Sequence, residues 1–220
     1  MKQKFSILKK HINVSHETLE KLVIYFELLS FWQKKMNLVS NNSLEDAEVR
    51  HFIDSAQLYV FCKNLNGNII DFGSGAGFPG AVLSILGAPK LFLIESNKKK
   101  CNFLATLKKE TNCNFKIVNS RIEKLEFLNP SLIVSRALTS TKKLLLFSIN
   151  HMLKSKNIKS NKEALKNLPN LLFLKGKTFQ NELNNIPEYL NIKFETFPSI
   201  TSAESRILLY NKDIYDINSD

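Results

Sequence analysis

The sequence predicts an α/β protein in which a mostly parallel sheet carries helices on both faces. From residue 69 onward, short apolar runs alternate with helical stretches, and this alternation is typical of parallel sheets. The chain has 220 residues, of which 44% are hydrophobic and 23% charged, so it can bury a core and is not disordered overall. The first 66 residues show helical spacing only. We therefore expect an N-terminal helical extension over 1–66 and the main domain over 67–220.

The extension is predicted to contain two helices. Apolar side chains recur with helical spacing on one face of residues 17–31, which indicates an amphipathic helix. Ser15 precedes this stretch and is a suitable N-cap. A second helix is expected over 44–62, and the Asn- and Gly-rich stretch 64–68 then marks a turn.

In the main domain, each apolar run predicts a strand. In chain order these runs are NIIDF, LFLIE, FKIVN, SLIVS, NLLFLKG, IKFETF and RILLY. The helices between them are PGAVLSILG, KKKCNFLATLKKE and TKKLLLFSINHML. The last two strands leave little room for a crossover, so we expect an antiparallel ending. Residues 154–167 are polar and carry five lysines, which predicts an exposed, mobile insertion.

Charge indicates the kind of partner. Lys and Arg number 31 and Asp and Glu number 20, which gives a net charge of +11 and a pI of about 9.5. This balance favours a polyanionic partner, either a nucleic acid or an anionic membrane, although the lysine excess of an AT-rich genome would look the same.

Other functional classes lack support in the sequence. No apolar run approaches the about 20 residues of a membrane span, and the N-terminus has no secretory pattern. Cys62, Cys101 and Cys113 form no metal-binding motif with the scattered histidines. We expect a cytoplasmic protein, monomeric by default, with reduced thiols and no metal.

The segment DFGSGAGFPG, residues 71–80, is the strongest motif. It follows a strand and precedes a helix, so glycines would let the backbone approach a ligand while the helix N-terminus offers free N–H groups. Gly75, Gly77 and Gly80 satisfy the GxGxxG of dinucleotide sites. Gly73, Gly75 and Gly77 satisfy the GxGxG associated with S-adenosylmethionine (SAM) methyltransferases.

Two acidic residues help to distinguish a dinucleotide from SAM as the ligand of this turn. Asp71, at the end of the first strand, would repel a pyrophosphate but attract the cationic α-amine and sulfonium of SAM. Glu95 ends the second strand and could accept hydrogen bonds from ribose hydroxyls, which fits SAM or NAD equally. Together they favour SAM. A glycine-rich turn that holds no ligand remains the alternative, and so does an NAD-dependent oxidoreductase, although no Tyr-x-x-x-Lys pair supports the latter.

Two later loops are candidate ligand contacts. Arg121, Ile122 and Glu123 follow the third strand, where a backbone N–H and an apolar side chain could flank an adenine. Arg136 ends the fourth strand, and ligands in open α/β sheets bind at the carboxyl ends of strands. The alternatives are a solvated loop for Arg121 and a structural salt bridge for Arg136.

Two motifs that the sequence lacks limit which atom of a nucleic-acid base a methyltransferase of this kind could modify. Methylation of base amino groups commonly uses an Asn/Asp-Pro-Pro-aromatic motif after the fourth strand, and methylation of cytosine carbon uses a Cys beside Pro. Neither occurs here. An atom that is already nucleophilic, such as guanine N7, needs neither device, and positioning and electrostatics then carry the catalysis.

Seven segments share an order with a known family. They fall over roughly 36–176 and are MNLVS, RHFIDS, DFGSGAGFPG, LIESNKKKCNFL, NSRIEKL, IVSRAL and LFLKG. In these segments the chain resembles the bacterial small-subunit ribosomal RNA guanine-N7 methyltransferase family, RsmG or GidB. The resemblance implies a Rossmann-like class I SAM-dependent methyltransferase that methylates N7 of a guanine in small-subunit (16S) rRNA or in a pre-ribosomal subunit. A non-catalytic RNA-binding or ribosome-assembly protein on the same fold stays open.

The resemblance also implies roles for individual residues. Its SAM contacts correspond to Gly73, Phe78, Ile122, Glu123 and Arg136, beside Asp71, Gly75, Gly77 and Glu95 of the motifs above. Its basic residues at the substrate mouth correspond to Arg121, Arg136, Lys175 and Arg206. His51 and Asp54 of RHFIDS are interpreted as supports behind the site or as helix anchors.

The chain departs from the family pattern at three places. Met36 replaces a tyrosine, so a stacking role at that position is lost. The lysine-rich segment 154–167 replaces a short Gly-rich turn. Arg206-Ile207 replaces an Arg-His pair, which makes Arg206 the least secure of the site residues.

Overall fold

The structure of the chain, a computed structural model, describes residues 5–212 and is built on one seven-stranded sheet. Residues 1–4 of the predicted helical extension and residues 213–220 of the predicted main domain lie outside the described residues. The strands are β1 (Asn68–Phe72), β2 (Leu91–Glu95), β3 (Phe115–Asn119), β4 (Pro130–Arg136), β5 (Asn170–Lys175), β6 (Glu195–Pro198) and β7 (Arg206–Tyr210).

The spatial order is β3-β2-β1-β4-β5-β7-β6. Strands β1 to β5 are parallel, and β7 pairs antiparallel with both β5 and β6. The predicted mostly parallel sheet with an antiparallel ending is therefore confirmed. The order reverses between β1 and β4, and a sheet of this kind opens a ligand-binding crevice at that point, outside the carboxyl ends of the strands.

Helices cover both faces of the sheet, as predicted. They are α1 (Leu8–His11), α2 (His16–Gln33), α3 (Asn41–Glu45), α4 (Asp54–Ala56), α5 (Gly80–Ile85), α6 (Lys98–Thr111), α7 (Thr141–Met152), α8 (Asn161–Lys166) and α9 (Phe179–Asn184). One hydrophobic core joins α2, α5 and α6 to one face of the sheet, and a second core joins α7 and α8 to the other. Side chains of β4 alternate between them, because Leu132 and Val134 enter the first core and Ile133 the second.

The N-terminal helices belong to the first of these cores. Ser15 caps α2 as predicted, since its side chain accepts the Thr18 N–H at 3.1 Å. The Tyr25 ring of α2 stacks on the Phe78 ring at 5.0 Å between centroids, and Phe52 packs edge-on against both rings. The described part of the predicted extension is thus helical and packed against the sheet; a boundary at residue 66 stays a prediction.

The second predicted helix, over 44–62, is irregular. A π-helix, Glu48–Ile53, leads into α4 and then into a 3₁₀ turn, Gln57–Phe61. The wider turns bury His51, Phe52 and Ile53 together. Single π-turns often occur at functional sites, and this one carries the first four residues of RHFIDS, whose Asp54 and Ser55 begin α4.

The lysine-rich segment contains a helix that the sequence did not predict. All five of its lysines are exposed, but Ser160 caps α8 by accepting the Glu163 N–H. Ala164 and, just beyond the segment, Leu168 are fully buried in the second core. The predicted exposure agrees with the structure, in which these two apolar side chains also pack the segment beside α7; its mobility stays a prediction.

Three further features concern the described residues only. Within 5–212, no helix is both long enough and apolar enough to cross a bilayer. The same residues contain no group of three or more His, Cys, Asp or Glu side chains placed to bind a metal ion. Cys62, Cys101 and Cys113 are buried and unbridged.

The buried His151 makes the stability of the second core depend on pH. Its Nε2 accepts the Leu128 N–H at 3.3 Å, and burial, aided by the Lys154 charge, lowers its pKa to about 4. The folded protein therefore keeps His151 neutral while the unfolded chain protonates it below about pH 6.5. Acidification from pH 6.5 to 4 thus favours unfolding through this residue.

We predict that His151→Phe flattens this pH dependence. The variant loses the acceptor for Leu128 N–H and about 1 kcal/mol at pH 7, but the slope of the unfolding free energy between pH 4.5 and 6 falls by up to about 1.4 kcal/mol per pH unit. Urea titrations across this range measure both quantities. The exposed His16, replaced in the same way, serves as the control; equal slopes in wild type and His151→Phe would contradict the prediction.

Candidate active site

A cavity of about 530 Å³ opens at the carboxyl ends of β1, β2 and β4 and beside the loop after β3. This is where the order of the sheet reverses, and the volume lies within the roughly 300–1,000 Å³ of small-molecule sites. Eight of the predicted site residues line it: Gly73, Gly75, Phe78, Glu95, Arg121, Ile122, Glu123 and Arg136. Four do not: Asp71, Gly77, Lys175 and Arg206.

The glycine turn after β1 forms the floor of this cavity. Gly73, Gly75 and Gly77 have φ angles of +70°, +57° and +96°, a region that side-chain-bearing residues rarely adopt. A Cβ on Gly73 would lie 2.6 Å from a methyl carbon of Leu138. The backbone conformation therefore favours glycine at this position, and a larger residue would also have to displace the exposed Leu138 side chain.

Tyr25 supports the turn from below, and sequence reasoning missed it. Its hydroxyl donates to the carbonyl of Ala76 at 2.5 Å, and a Cβ on Gly77 would approach that hydroxyl to 2.7 Å. Tyr25 is fully buried. Its position on the apolar face of α2 marks it as core, and nothing in the sequence distinguishes its polar end.

Asp71 lies beneath the turn and not in the cavity. Its side chain is fully buried, and Oδ2 accepts the Gly80 N–H at 3.0 Å at the start of α5. Burial raises its pKa to about 7 against the opposing effect of the Gly80 hydrogen bond. The expectation that its carboxylate faces a bound ligand therefore disagrees with the structure, in which Asp71 joins β1 to α5.

Glu95 remains at the cavity wall where the sequence placed it. Its Oε2 accepts the Gly75 N–H at 2.9 Å, and Oε1 accepts the Asn97 N–H at 2.7 Å. Asn119, at the end of β3, donates to the Glu95 carbonyl. The carboxylate is therefore held between the glycine turn and the start of α6.

The loop after β3 forms the opposite wall and is held by a lysine from the insertion. Ile122 and Glu123 belong to a 3₁₀ turn, Ile122–Lys124. Lys154 Nζ donates to the carbonyls of Glu123 at 2.7 Å and Leu125 at 2.6 Å. This contact could not be predicted, because Lys154 lies among other lysines in a polar segment.

Arg136 is fixed by the helical segment that carries RHFIDS. Its Nη1 donates to the Arg50 carbonyl at 2.7 Å and to Asp54 Oδ2 at 3.3 Å, and Nη2 lies 2.9 Å from His51 Nδ1. The guanidinium carbon lies 5.0 Å above the centre of the Phe78 ring. The interpretation of His51 and Asp54 as supports behind the site agrees with these contacts.

His51 is neutral and has a defined tautomer in this arrangement. Because a guanidinium can only donate, His51 Nδ1 accepts a hydrogen bond from Arg136 and the proton lies on Nε2. The Nε2–H group donates to Ser43 Oγ at 2.9 Å. Burial, together with the charges of Arg136 and Arg50, lowers the pKa of His51 to about 3.

A second cavity of about 350 Å³ lies on the other side of Arg136 and is lined by Asp54, Thr139, Lys175 and Glu182 among others. The Lys175 ammonium binds Glu182 Oε2 and the Thr139 carbonyl, each at 2.6 Å. Arg206 lines neither cavity: it donates to the carbonyls of its neighbours Ala203 and Ser205 and stacks on Phe179. Arg136 and Lys175 thus both line the second cavity, and Arg206 does not.

The family model described as rRNA small subunit methyltransferase G, GidB, matches residues 18–207. The chain belongs to this family. A family member from Paramagnetospirillum magneticum, named ribosomal RNA small subunit methyltransferase G, is 35% identical over 195 residues, 89% of each chain. One of the same name from Rickettsia prowazekii is 36% identical over 200 residues, 91% of this chain and 97% of its own.

Solved structures of distant methyltransferases share the fold. Magnesium protoporphyrin IX methyltransferase from Synechocystis with bound SAM superimposes with a TM-score of 0.56 at 14% identity, over 90% of this chain and 98% of its own. A ribosomal protein L11 methylase from Lactobacillus delbrueckii subsp. bulgaricus gives 0.53 at 10% identity, over 79% and 80%. The predicted Rossmann-like methyltransferase fold is confirmed.

We predict that Gly73→Ala weakens SAM binding at least tenfold and destabilises the protein by about 1–2 kcal/mol, because alanine resists a φ of +70° and its methyl has to displace the Leu138 side chain. Calorimetry and urea unfolding measure the two effects. Gly176→Ala is the matched control, since a Cβ there meets nothing within 4 Å, and its stability should change by less than about 0.5 kcal/mol. Wild-type affinity in Gly73→Ala would remove the turn from the binding site.

We also predict that Lys154→Met weakens SAM binding threefold or more. The variant keeps the aliphatic stem but removes the ammonium that binds the carbonyls of Glu123 and Leu125, so the turn that lines the cavity loosens. Lys156→Met, at an exposed lysine of the same segment, is the control and should bind SAM like wild type. Equal affinities for both variants would show that the contact is not needed for binding.

Proposed function

We propose that the protein transfers a methyl group from SAM to N7 of a guanine in small-subunit (16S) rRNA. One observation carries this proposal: in a chain that belongs to the GidB family, the glycine-turn cavity meets a second, charged cavity at the Arg136 guanidinium. A donor site and an acceptor site that share one wall are what methyl transfer between two bound molecules requires.

The residues around the first cavity fit SAM. Glu95 presents a carboxylate that can accept hydrogen bonds from ribose hydroxyls, and the turn at Ile122 and Glu123 can flank the adenine. When bound, SAM supplies a methyl carbon made electrophilic by the attached sulfonium.

Transfer to guanine N7 suits the side chains at this junction. Guanine N7 has a free lone pair and no proton, so with SAM as the methyl donor no side chain would have to act as a base. Arg136 and Lys175 donate hydrogen bonds and could bind guanine O6 while leaving N7 free. The task of the protein is then orientation.

Basic side chains around the first cavity support an RNA substrate. Lys100, Arg121 and Lys143 line it, and the chain as a whole carries +11. Such residues neutralise phosphates and position a nucleic acid without reading its sequence. Naked rRNA and a pre-ribosomal subunit both offer this backbone, and a cytoplasmic monomer is the form in which we propose that the protein acts.

The proposal is tested with purified protein, radiolabelled SAM, and either naked 16S rRNA or small-subunit particles from cells that lack the protein. We expect one N7-methylguanine in one of these substrates, and loss of the same modification in the deleted strain. Calorimetry should show binding of SAM and S-adenosylhomocysteine but not of NAD.

The possible failures have different meanings. NAD binding without SAM binding would favour an oxidoreductase. Binding of both SAM and rRNA without transfer to any base would favour an assembly protein on the same fold. Methylation of a base atom other than guanine N7 would retain the enzyme class and overturn the target.

A further inference from the structure

Arg136 stands in the wall that separates the two cavities and lines both. Its side chain is only 15% exposed, although it ends a strand at the mouth of the site. A long side chain with several rotatable bonds would ordinarily sample many orientations there. One helical segment, residues 50–54, supplies all three of the hydrogen-bond acceptors described for the guanidinium.

Each of the two side-chain acceptors is itself held by further contacts. Asp54 Oδ1 accepts from Thr201 Oγ1 at 2.7 Å and from Gln57 Nε2 at 3.1 Å, which leaves Oδ2 for Arg136. His51 is fixed through its other nitrogen by Ser43 and stacks on Phe78 at 4.9 Å between ring centroids.

The Phe78 ring connects this arrangement to the glycine turn. One ring is contacted by the His51 ring at 4.9 Å and by the Arg136 guanidinium at 5.0 Å, and it stacks on Tyr25. Phe78 follows Gly77 directly in the chain. Because the ring belongs to the residue after the glycine turn, its contact with Arg136 fixes the guanidinium relative to the floor of the first cavity.

We propose that His51 and Asp54 are positioning residues, which hold the Arg136 guanidinium in one orientation between the donor cavity and the acceptor cavity. This inference rests on the proposed function, because the benefit of a fixed guanidinium lies in orienting two bound molecules. Neither residue lines the first cavity, and His51 lines neither of the two. His51 acts only through Arg136, and Asp54, although it also lines the second cavity, is assigned the same role.

Two conservative variants separate the hydrogen bonds from packing. His51→Phe keeps an aromatic ring against Phe78 and removes the Nδ1 acceptor. Asp54→Asn keeps an oxygen acceptor and removes the negative charge. Hydrogen bonds to charged groups predict a tenfold to about hundredfold loss in the single-turnover rate of methyl transfer for each variant. Matched controls are His16→Phe and Asp46→Asn, at exposed positions.

A double-mutant cycle decides whether these losses act through Arg136. In an Arg136→Ala background, His51→Phe and Asp54→Asn should change the single-turnover rate and the SAM dissociation constant by less than twofold, because the group that they position is gone. A purely structural role predicts the opposite: losses that multiply with that of Arg136→Ala, together with a lowered thermal midpoint. Multiplying losses would overturn the proposal.

Side-chain NMR of the arginine provides a readout that does not depend on activity. In wild type, rotation about the Arg136 Cζ–Nη bonds should be slow enough to give separate Nη resonances, assigned from their loss in Arg136→Ala. In His51→Phe these resonances should merge, whereas in His16→Phe they should not. If the wild-type protein shows separate Nη resonances that merge in His51→Phe but transfers no methyl group, the proposed function fails and the positioning role stands. If the wild-type protein is active but its Nη resonances are already merged, only the positioning role is contradicted.

Discussion

The left-handed backbone of the glycine turn is the constraint on which the site depends. Three positive φ angles between residues 73 and 77 carry the chain from the end of β1 to the start of α5 within a few residues. That conformation is unfavourable for most residues but open to glycine, whose freedom must then be restricted by surrounding groups. Asp71 binds the Gly80 N–H from the strand side, Tyr25 binds the Ala76 carbonyl from α2, and Glu95 binds the Gly75 N–H from β2.

The helices before the sheet contribute directly to the site. Tyr25 reaches the turn from α2, and the RHFIDS segment reaches Arg136 from the π-helix. Both belong to residues that sequence composition alone would assign to a separate helical unit. The hydrophobic core confirms the connection, because it includes Leu22 and Phe52 beside Leu93 and Phe103. The sheet supplies the crevice, and the helices before it fix the groups inside.

Sequence reasoning recovered the architecture because the signals for it are local. Strand β1 and strand β3 begin and end at the predicted residues, since uninterrupted apolar runs bounded by turns leave few alternatives. The irregular stretch from Glu48 to Phe61 was predicted as one helix, because a π-turn has no signature in residue spacing. α8 was missed for a related reason: in residues 154–167 only Ile158, Ala164 and Leu165 interrupt a polar run.

The positions of site residues could be predicted where backbone geometry determines the residue type. They were harder to predict where a side chain has several possible hydrogen-bond partners. Gly73 and Glu95 lie at the cavity because a turn and a strand end place them there. Asp71 shows the limit: its position at the strand end was correctly inferred, but a carboxylate can turn to a ligand or to the backbone, and here it turns to Gly80. Lys154 and Arg206 donate hydrogen bonds to backbone carbonyls, and no sequence pattern predicts such contacts.

The contacts of Asp54 have a consequence for synthesis of the chain on the ribosome. Its carboxylate joins Arg136, 82 residues later, to Thr201, 147 residues later. Chain segments emerge in order from the N-terminus, so the helical segment is made long before either partner exists. A nascent chain that has already formed β1 and its glycine turn still lacks the last of these bonds. Full organisation of the site therefore waits until the segment between β6 and β7 has been synthesised.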